Sequence, residues 1–411
     1  MKSILKKNDK KNFLIFQTAE PTHFENDYAP MRLISLADFL INNGHKVTII
    51  TTLFFHQKKK FRNFKTEKKY KINGINYFFI TSPGYFKNIS FKRLFDHFIL
   101  ANNLKKKLNS IKNIDYVFIG FPPIETSYVL SSWCYRNNIP YTLDFKDDWP
   151  EIFFYKRNFF FKLIFYPAFI FLRYLKNLTI IKSKNITGIS KKFLPKSKKL
   201  SKIIKNKYLT LYLTKDIKKK INLNNVRYEI KKLKDNKKKM IIFIGNFYES
   251  SYDFEILVKI KEFIIKNNSF EFLFFGDGPG KEHLIKILNF KNIKIYNSVN
   301  IDEKKLIMLI SSAVFLPFIS RPDMVNSLPN KIIDAIQYKL PIITSLHGEA
   351  AKIIKKKKIG CVYNDHYQLK NILNTFFKSN VYLEMKKNYN SADINNEFDH
   401  LRNYEKILLN L

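Results

Sequence analysis

The sequence has few cysteines, and their scarcity limits the kinds of site that it could hold. Cys134 and Cys361 are the two cysteines among 411 residues, so a disulfide framework is excluded. Neither lies in a C-x-x-C pair or beside a histidine cluster, which gives no support to a metal site. We therefore expect no metal and no cofactor, and a reducing cytosol is the compartment that fits this cysteine usage.

The sequence also lacks long uncharged apolar runs and the glycine-rich signature of dinucleotide binding. No stretch of eighteen apolar residues is free of charge, so we predict no membrane-spanning helix. Residues 12–17 form a short apolar run without a small-residue cleavage site after it, and we expect a first strand there rather than a signal peptide. No G-x-G-x-x-G follows that strand, which disfavours a Rossmann dehydrogenase.

Acidic residues are scarce relative to basic ones. The chain has 34 Asp and Glu against 73 Lys and Arg, a formal net charge of +39. Such a charge attracts anionic partners, which include nucleic acids, anionic membranes and phosphorylated substrates. The basic residues are spread along the whole chain, and no recognition helix, RNA-binding aromatic motif or Cys/His finger accompanies them. We therefore expect no nucleic-acid partner.

What the sequence does contain is a repeated alternation of strands and helices. A length of 411 residues predicts two domains. Strongly apolar strand candidates alternate with amphipathic helices, first up to about residue 189 and again after a lysine-rich stretch at 231–239. In the second series, residues 253–266 and 330–338 are predicted helices. This pattern predicts an α/β chain with two doubly wound, Rossmann-like domains that face each other across a cleft.

The segment 158–177 is unusually aromatic, with basic residues interspersed and Pro167 in its centre. One interpretation is a helix of the core. The alternative is a helix on a membrane surface, with its apolar side chains at the headgroup boundary and its basic side chains on lipid phosphates. The sequence does not decide between these two interpretations. The protein is therefore expected either in the cytoplasm or held peripherally on the cytoplasmic face of the inner membrane.

Residues 323–334 contain a polar loop followed by the first turns of a predicted helix. Ser327 or Asn330 could cap this helix, and the N–H groups of a first helical turn bind anions such as phosphate. Asp334 lies one turn beyond Lys331, where its carboxylate would suit the two hydroxyls of a ribose. An ordinary capped helix with an acidic residue is the alternative. Two further strand ends carry glycine, at Gly276-Asp277-Gly278-Pro279 and at Gly245-Asn246, where the backbone could approach a ligand closely.

Taken in order, these segments resemble glycosyltransferase family 4, a family of GT-B fold enzymes, in its bacterial polysaccharide, capsule and O-antigen type. The matching segments are Gly245-Asn-Phe, Phe274-Phe-Gly-Asp-Gly-Pro279, Ser327-Leu-Pro-Asn-Lys331 with Asp334, and Asp144-Phe-Lys-Asp147-Asp-Trp149-Pro150. The resemblance covers nearly the whole chain. It implies an acceptor-side domain at 1–205, a donor-binding domain at 206–389, and a C-terminal helix at about 390–411 that returns to the first domain.

The resemblance also implies roles for particular residues. Asp334 falls where the family's second acid binds ribose, and the segment Ser327, Leu328, Pro329 and Asn330 falls where backbone N–H groups hold the diphosphate. Lys331 would add charge support. Gly276, Asp277 and Gly278 would line the base pocket, and Gly245 and Asn246 would face the sugar phosphates. Arg32, Asp147 and Trp149 would face the acceptor. His23 would be an acceptor-side base, although a structural role is the alternative for a lone histidine.

The sequence departs from the family pattern in three places, one of which is the loop at residues 20–30, where the family's glycine pair is missing. Asn326 stands where the family's first glutamate is expected, and no cation follows Gly245 within the next eight residues. The chain also has no Asp-x-Asp pair, so leaving-group stabilisation is assigned to helix N–H groups and cations rather than to a metal.

The expected function is retaining transfer of a sugar, UDP-linked by preference, to a glycan or polyprenyl-linked acceptor in cell-surface polysaccharide synthesis. A nucleotide-sugar epimerase or hydrolase of the same fold is one alternative. The other is a degenerate transferase that binds anionic surfaces.

Overall fold

The computed structural model describes residues 10–25, 31–87, 90–154, 157–189, 208–210, 220–325, 327–378, 380–391, 394, 397–398 and 400–409. These residues form two compact units. The first comprises the described residues up to 210 together with the C-terminal segment that begins at Tyr404, and the second comprises those from 220 to Asn403. The expected domain boundary at residues 205–206 lies outside the described residues.

The first unit contains one large sheet, a small hairpin and five helices in the described part of the chain. Its strands are β1 Asn12–Phe16, β2 Lys46–Thr52, β3 Phe54–Phe55, β4 Lys60–Phe61, β5 Tyr70–Ile72, β6 Ile75–Ile80, β7 Tyr116–Phe121, β8 Tyr141–Phe145, β9 Asn185–Gly188 and β10 Tyr208–Thr210. Its helices are α1 Arg32–Asn42, α2 Phe91–Leu108, α3 Ile124–Arg136, α4 Phe159–Lys182 and, from Tyr404 onward, the larger part of α14 His400–Leu409.

The large sheet of the first unit has the strand order β10-β9-β8-β7-β1-β2-β6-β5. Every pairing is parallel except that of β5 with β6, which is antiparallel. Apolar clusters cover both faces of the sheet, one of them with α1 and residues of α14, the other with α2, α3 and the end of α4. The Tyr404 hydroxyl on α14 donates a 2.9 Å hydrogen bond to the Arg32 carbonyl and so holds α14 to α1.

The second unit is a fully parallel sheet between helices. Its strands are β11 Lys239–Ile244, β12 Phe270–Phe275, β13 Ile293–Tyr296, β14 Ala313–Leu316, β15 Ile342–Thr344 and β16 Gly360–Val362, in the order β13-β12-β11-β14-β15-β16. Its described helices are α5 Tyr228–Lys231, α6 Lys261–Lys266, α7 Lys281–Ile287, α8 Ile301–Ile310, α9 Pro322–Val325, α10 Asn330–Gln337, α11 Glu349–Lys357, α12 His366–Phe376 and α13 Asn380–Asn388.

Each large sheet has a point at which the direction of strand addition reverses. In the first sheet, β1 lies between β2 and β7, and in the second, β11 lies between β12 and β14. The connections on the two sides of such a point leave the sheet in opposite directions and open a crevice at the carboxyl ends of the strands. Each unit therefore has one position in its fold where a ligand is expected.

The fold class predicted from the sequence is confirmed by these two doubly wound sheets. Individual elements differ in places. Residues 253–266, predicted as one helix, form a 3-10 helix at Glu255–Ile260 followed by α6. The short antiparallel strands β3, β4 and β5 carried no recognisable pattern and were not predicted.

The aromatic segment forms the long helix α4, which has both a buried and an exposed part. Its last turns enter the core through residues such as Leu175 and Ile180, so the core-helix interpretation holds there. Large side chains along its earlier turns are exposed, with Phe160 at 73% and Ile164 at 70%. By length and composition, α4 is the one described helix that could cross a membrane, with a mean hydropathy of 1.3 and 22% of its apolar window buried.

Candidate functional site

The switch point of the second sheet gathers most of the predicted donor-site residues. Gly245 directly follows β11, and β14 pairs beside β11 with Ile241 opposite Ala313. The chain leaves β14 and reaches the start of α10 at Asn330. Gly245 and the first turn of α10 thus lie at the same crevice.

Lys331 and Gly245, which are 86 positions apart in the sequence, are in direct contact. The Lys331 ammonium donates a hydrogen bond to the Ile244 carbonyl and lies 4.6 Å from the centroid of the Phe243 ring. A Cβ atom on Gly245 would collide with that ammonium, and Gly245 also has a φ of +147°, which disfavours other residues. The glycine therefore makes room for a positive charge at the carboxyl end of β11.

Asp334 lies one turn further along α10 and is nearly buried. Its Oδ2 accepts a 2.6 Å hydrogen bond from the Lys304 ammonium on α8. Burial and the nearby Asp334 carboxylate raise the pKa of the Tyr338 hydroxyl to about 12. The carboxylate is thus held at a fixed place between α8 and α10, the helices that follow β13 and β14.

The start of α10 differs from the prediction. Pro329 occupies the N-cap position and no side chain caps the helix, so the prediction of a Ser327 or Asn330 cap is wrong. Asn330 already has helical geometry, and the Ser327 hydroxyl donates instead to the Met324 carbonyl at 3.2 Å. Leu328 is 1% exposed and anchors the loop in the core. Asn326, which replaces the family's glutamate, lies outside the described residues.

The glycines after β12 are required by packing between two loops. A Cβ atom on Gly276 would collide with the Gly245 carbonyl, and one on Gly278 would meet the Phe247 backbone at 3.0 Å. The Phe247 amide donates to the Asp277 carbonyl at 2.8 Å. The two loops therefore brace each other, while Asn246 between them stays exposed.

Asp277 connects a third loop, the one after β13, to these two loops through hydrogen bonds. Its carboxylate accepts a 2.6 Å hydrogen bond from Lys281 and a 3.1 Å hydrogen bond from the Ser298 amide after β13. These hydrogen bonds, that of Lys281 foremost, lower the pKa of Asp277. The Asp277 side chain therefore holds the loops at the sheet edge together. This structural role was not predicted from the sequence, which assigned Asp277 to a base pocket.

A cavity in the second unit lies beside these loops. It has a volume of about 300 Å³ and is lined by residues of the segment that follows β11, including Phe247 and Tyr252, and by Leu284 and His283 of α7. None of its lining residues belongs to α10. Tyr252 lies near both the cavity and the first turn of α10, because it lines the cavity and its ring centroid is 5.8 Å from the Lys331 ammonium.

The switch point of the first sheet carries a second polar cavity, with a volume of about 80 Å³. Its walls come from the residues that follow β1, β2, β7 and β8, and from one side of α2. Asp147 lines it, as the acceptor-side assignment expects. The polar residues that α2 and the β3–β4 segment add to the cavity were not among the predicted site residues; they are His56, Arg93, Asp96 and His97.

Trp149 packs against two of the residues that line this cavity. It is 3% exposed, and its ring lies 4.4 Å from the Arg93 guanidinium carbon and 5.4 Å from the His97 ring centroid. Burial lowers the pKa of Arg93, and the nearby Tyr85, Asp147 and Glu125 oppose that effect. Asp147 and Arg93 thus face the same space, with Trp149 fixing the arginine.

Charges of both signs line the cavity, because Asp96 and Asp147 lie there together with Arg93 and Lys146. Burial lowers the pKa of His56 to about 4, and the charges of Lys59, Arg93 and His97 contribute to the same shift. Burial and Arg93 lower the pKa of Lys59 to about 8. An anion bound there would stabilise the protonated forms of both side chains.

Arg32 and His23 are engaged in contacts inside the first unit. The Arg32 guanidinium, 1% exposed, forms an ion pair with the equally buried Asp144. The His23 ring contacts the Tyr77 hydroxyl through Nδ1 at 2.6 Å and the Asp38 carboxylate through Nε2 at 2.8 Å. Because both ring nitrogens of His23 have protein partners, the geometry favours the structural alternative for this residue.

Comparison with known proteins supplies a family match for the second unit. Residues 238–377 match the family described as "Glycosyl transferases group 1". This range begins just before β11 and ends after α12, so it includes Gly245, the loop of Gly276 and α10. A search of curated protein sequences finds no significant match.

Solved structures resemble the chain over almost its full length. A glycosyltransferase from Rickettsia africae has 16% identity and a TM-score of 0.60, covering 98% of this chain and 97% of that one. The Anabaena protein Alr3699/HepE in complex with UDP has 14% identity and a TM-score of 0.60, covering 97% and 98%. Sucrose-phosphate synthase from Thermosynechococcus elongatus has 12% identity and a TM-score of 0.65, covering 97% of each chain. The fold is therefore that of the GT-B glycosyltransferases.

Proposed function

We propose that this protein is a glycosyltransferase that moves a sugar from a UDP-sugar to a glycan or lipid-linked acceptor in the synthesis of a cell-surface polysaccharide. The observation that carries the proposal is the fixed Lys331 ammonium at the switch point of the second sheet, one helical turn from the Asp334 carboxylate. The GT-B fold and the family match over residues 238–377 support it. The UDP bound to the similar Anabaena protein supports the choice of nucleotide.

In this proposal the donor diphosphate lies at the first turn of α10. N–H groups of a first helical turn and the Lys331 ammonium would stabilise the negative charge that develops on the leaving UDP. Asp334 would accept hydrogen bonds from the ribose hydroxyls, and Lys304 would keep the carboxylate in place. Gly245 and Asn246 would face the sugar phosphates, next to the loop of Gly276 and Gly278.

Retention of anomeric configuration is part of the proposal and follows from the family resemblance. In a front-face substitution the bond between the anomeric carbon and the UDP oxygen breaks as the acceptor oxygen attacks from the same side. The acceptor proton passes to the leaving phosphate, and Asp147 of the first unit is the proposed group that orients the acceptor hydroxyl. Because these groups carry the charge of the leaving UDP, we propose that the reaction needs no metal.

The nucleotide assignment is tested by removing the Asp334 carboxylate. We expect Asp334→Ala to weaken UDP binding by about 1–3 kcal/mol, the usual range for hydrogen bonds to a buried charged group. Isothermal titration calorimetry with UDP measures the loss directly. Glu384→Gln is a matched control, because it removes a carboxylate from an exposed ion pair with Lys358 in the same unit. Equal UDP affinity in the wild type and both variants would remove Asp334 from the site.

We also propose that the protein is held peripherally on the cytoplasmic face of the membrane by the exposed side of α4. Large apolar side chains cover this side, among them Phe160, Ile164 and Phe171 at 73%, 70% and 59% exposure. The start of α2 lies beside α4, with the ring centroids of Phe91 and Phe165 5.3 Å apart, and Phe91 adds further exposed apolar area there. Apolar exposure of this extent marks an interaction surface, and Lys162 together with the net charge of +39 suits anionic lipid.

Vesicle binding tests the membrane assignment. The triple variant Phe160→Ser, Ile164→Ser and Phe171→Ser is expected to bind vesicles of anionic phospholipid on the order of 100-fold more weakly, at roughly 1 kcal/mol for each side chain partly buried in lipid. The control variant Leu309→Ser, Tyr367→Ser and Leu383→Ser changes three exposed apolar residues of the second unit. Indistinguishable flotation of all three proteins, or wild-type protein that resists extraction by alkaline carbonate as a spanning helix does, would contradict peripheral attachment through α4.

A further inference from the structure

A buried histidine and a buried carboxylate face each other beside the polar cavity of the first unit. Nδ1 of His97 on α2 lies 3.6 Å from Oε2 of Glu125, in the first turn of α3. Both atoms are buried, and neither has a hydrogen-bond partner among the described residues. Native structures leave few buried polar atoms in this state, because each one lowers stability. Two such atoms that face each other therefore indicate a role besides folding.

Aromatic side chains hold the His97 ring between them. Its centroid lies 5.4 Å from that of Trp149 and 6.1 Å from that of Tyr85, which meets it edge-on. The His97 side chain is 3% exposed, yet it lines the polar cavity. Because Nδ1 is directed to Glu125, Nε2 is the ring nitrogen that is left for a ligand in the cavity.

We propose that Nε2 of His97 binds a hydroxyl of the acceptor sugar, next to the hydroxyl that Asp147 orients, and that Glu125 is a positioning residue that keeps the proton of the neutral ring on Nδ1. With the proton on Nδ1, Nε2 accepts a hydrogen bond. The 3.6 Å separation from Glu125 suits this arrangement, because hydrogen bonds that support catalysis are often long in a free enzyme and shorten with the substrate bound.

This inference rests on the proposed function and adds residues to it. The acceptor-side histidine is then one on α2, in place of His23, whose two ring nitrogens both have protein partners. Neither His97 nor Glu125 belongs to a segment on which the family resemblance depends.

The charges of the cavity favour an uncharged sugar over a phosphate. Arg93 and Lys146 line it together with Asp96 and Asp147, so the formal charges of these four side chains cancel. A sugar hydroxyl both donates and accepts hydrogen bonds, which suits donors on Arg93 and acceptors on Asp147 and His97. A phosphate would meet the two carboxylates. The acceptor is therefore the sugar end of an existing glycan, and an earlier transfer must have placed that sugar on its carrier.

Steady-state kinetics of UDP release test the role of His97, with farnesyl diphosphate-linked glucose, galactose and N-acetylglucosamine as the varied acceptors. We expect His97→Phe, which keeps a ring without nitrogen, to raise KM for the acceptor by about 10-fold and to change kcat by less than about 3-fold, as the loss of one hydrogen bond implies. His97→Gln should regain most of the affinity, because its amide oxygen can take the place of Nε2. His45→Phe, which changes a histidine of the same unit outside the cavity, is the matched control.

Nitrogen NMR of the histidine side chains tests the role of Glu125 without turnover. The spectrum distinguishes protonated from unprotonated ring nitrogens, and His97→Gln assigns the His97 signals among those of the eight histidines. Above the pH at which the ring becomes neutral, we expect the proton on Nδ1 in the wild type. In Glu125→Met nothing holds the proton there, and it should move to Nε2. A proton on Nε2 in the wild type, or the same tautomer in both proteins, would overturn the role of Glu125.

The wild type alone tests the class of acceptor, independently of how any variant folds. Farnesyl phosphate should give a kcat/KM at least about 100-fold lower than the sugar-terminated acceptors, because its phosphate would face Asp96 and Asp147. Equal turnover of farnesyl phosphate, or an unchanged acceptor KM in His97→Phe, would refute this inference and leave the proposed function intact. No UDP release from any UDP-sugar with any of these acceptors would refute both.

Discussion

Replacing Lys331 with alanine is expected to lower kcat/KM for UDP release from a UDP-sugar by about 100- to 1,000-fold, the usual loss when one preorganised group is removed from a site of developing charge. The ammonium lies at the carboxyl end of β11, held by the Ile244 carbonyl and the Phe243 ring. These protein contacts hold the ammonium in place, so little reorganisation is needed when the diphosphate departs. Lys356→Ala, on α11 of the same unit, removes an exposed charge and should leave kcat/KM unchanged.

Gly245→Ala provides a second way to disturb the same charge. An alanine Cβ would occupy the position of the Lys331 ammonium, so this variant should also lose most of its turnover while it keeps the lysine. If Lys331 served only to hold α10 to β11, both variants would unfold at lower temperature and UDP would stabilise them against heat as much as it stabilises the wild type. That outcome would contradict a role in binding the donor.

The second large effect is on stability and concerns the buried pair of Arg32 and Asp144. We expect Arg32→Met to lower the free energy of unfolding of the first unit by about 3–5 kcal/mol, because it leaves a buried carboxylate without its countercharge. Thr187 donates a 2.6 Å hydrogen bond to the same Asp144 oxygen, which compensates only in part. The double variant Arg32→Met with Asp144→Leu should regain most of the loss, since it leaves no unpaired charge.

Urea unfolding followed by tryptophan fluorescence measures this effect in the first unit alone. Both tryptophans of the chain, Trp133 and Trp149, belong to that unit, so the second unit does not obscure the transition. Arg136→Met, an exposed arginine at the end of α3, is the matched control. An Arg32→Met midpoint equal to that of Arg136→Met would show that the pair contributes nothing net to folding.

The architecture could be predicted from the sequence because parallel strands buried on both faces are continuous apolar runs. Residues 240–244, MIIFI, are an example, and they lie in β11. The positions of Lys331 and Asp334 in the fold could also be predicted from the sequence, because helix periodicity and a following strand fix them. The short strands β3 to β5 were not, since two or three residues hold no detectable period.

Other parts of the site depend on contacts between distant segments. Arg93 and His97 lie on a helix with many charged residues, and only the packing of α2 against α3 and β6 brings them to the cavity that Asp147 lines. The cap of α10 was mispredicted because Pro329 takes the position that side-chain preference assigns to Ser327 or Asn330. The glycines after β12 suggested close approach of a ligand, whereas the atoms next to them belong to the neighbouring loop.

Transfer of sugar from a nucleotide donor is measured by following UDP release and product structure in one assay. Wild-type protein is incubated with UDP-sugars of α configuration and farnesyl diphosphate-linked sugars, with EDTA present, and the product is examined by NMR. We expect UDP release that depends on the acceptor, an α-linked product and an unchanged rate in EDTA. Release of free epimerised sugar without acceptor, or no turnover with UDP-, GDP- or dTDP-sugars, would contradict it.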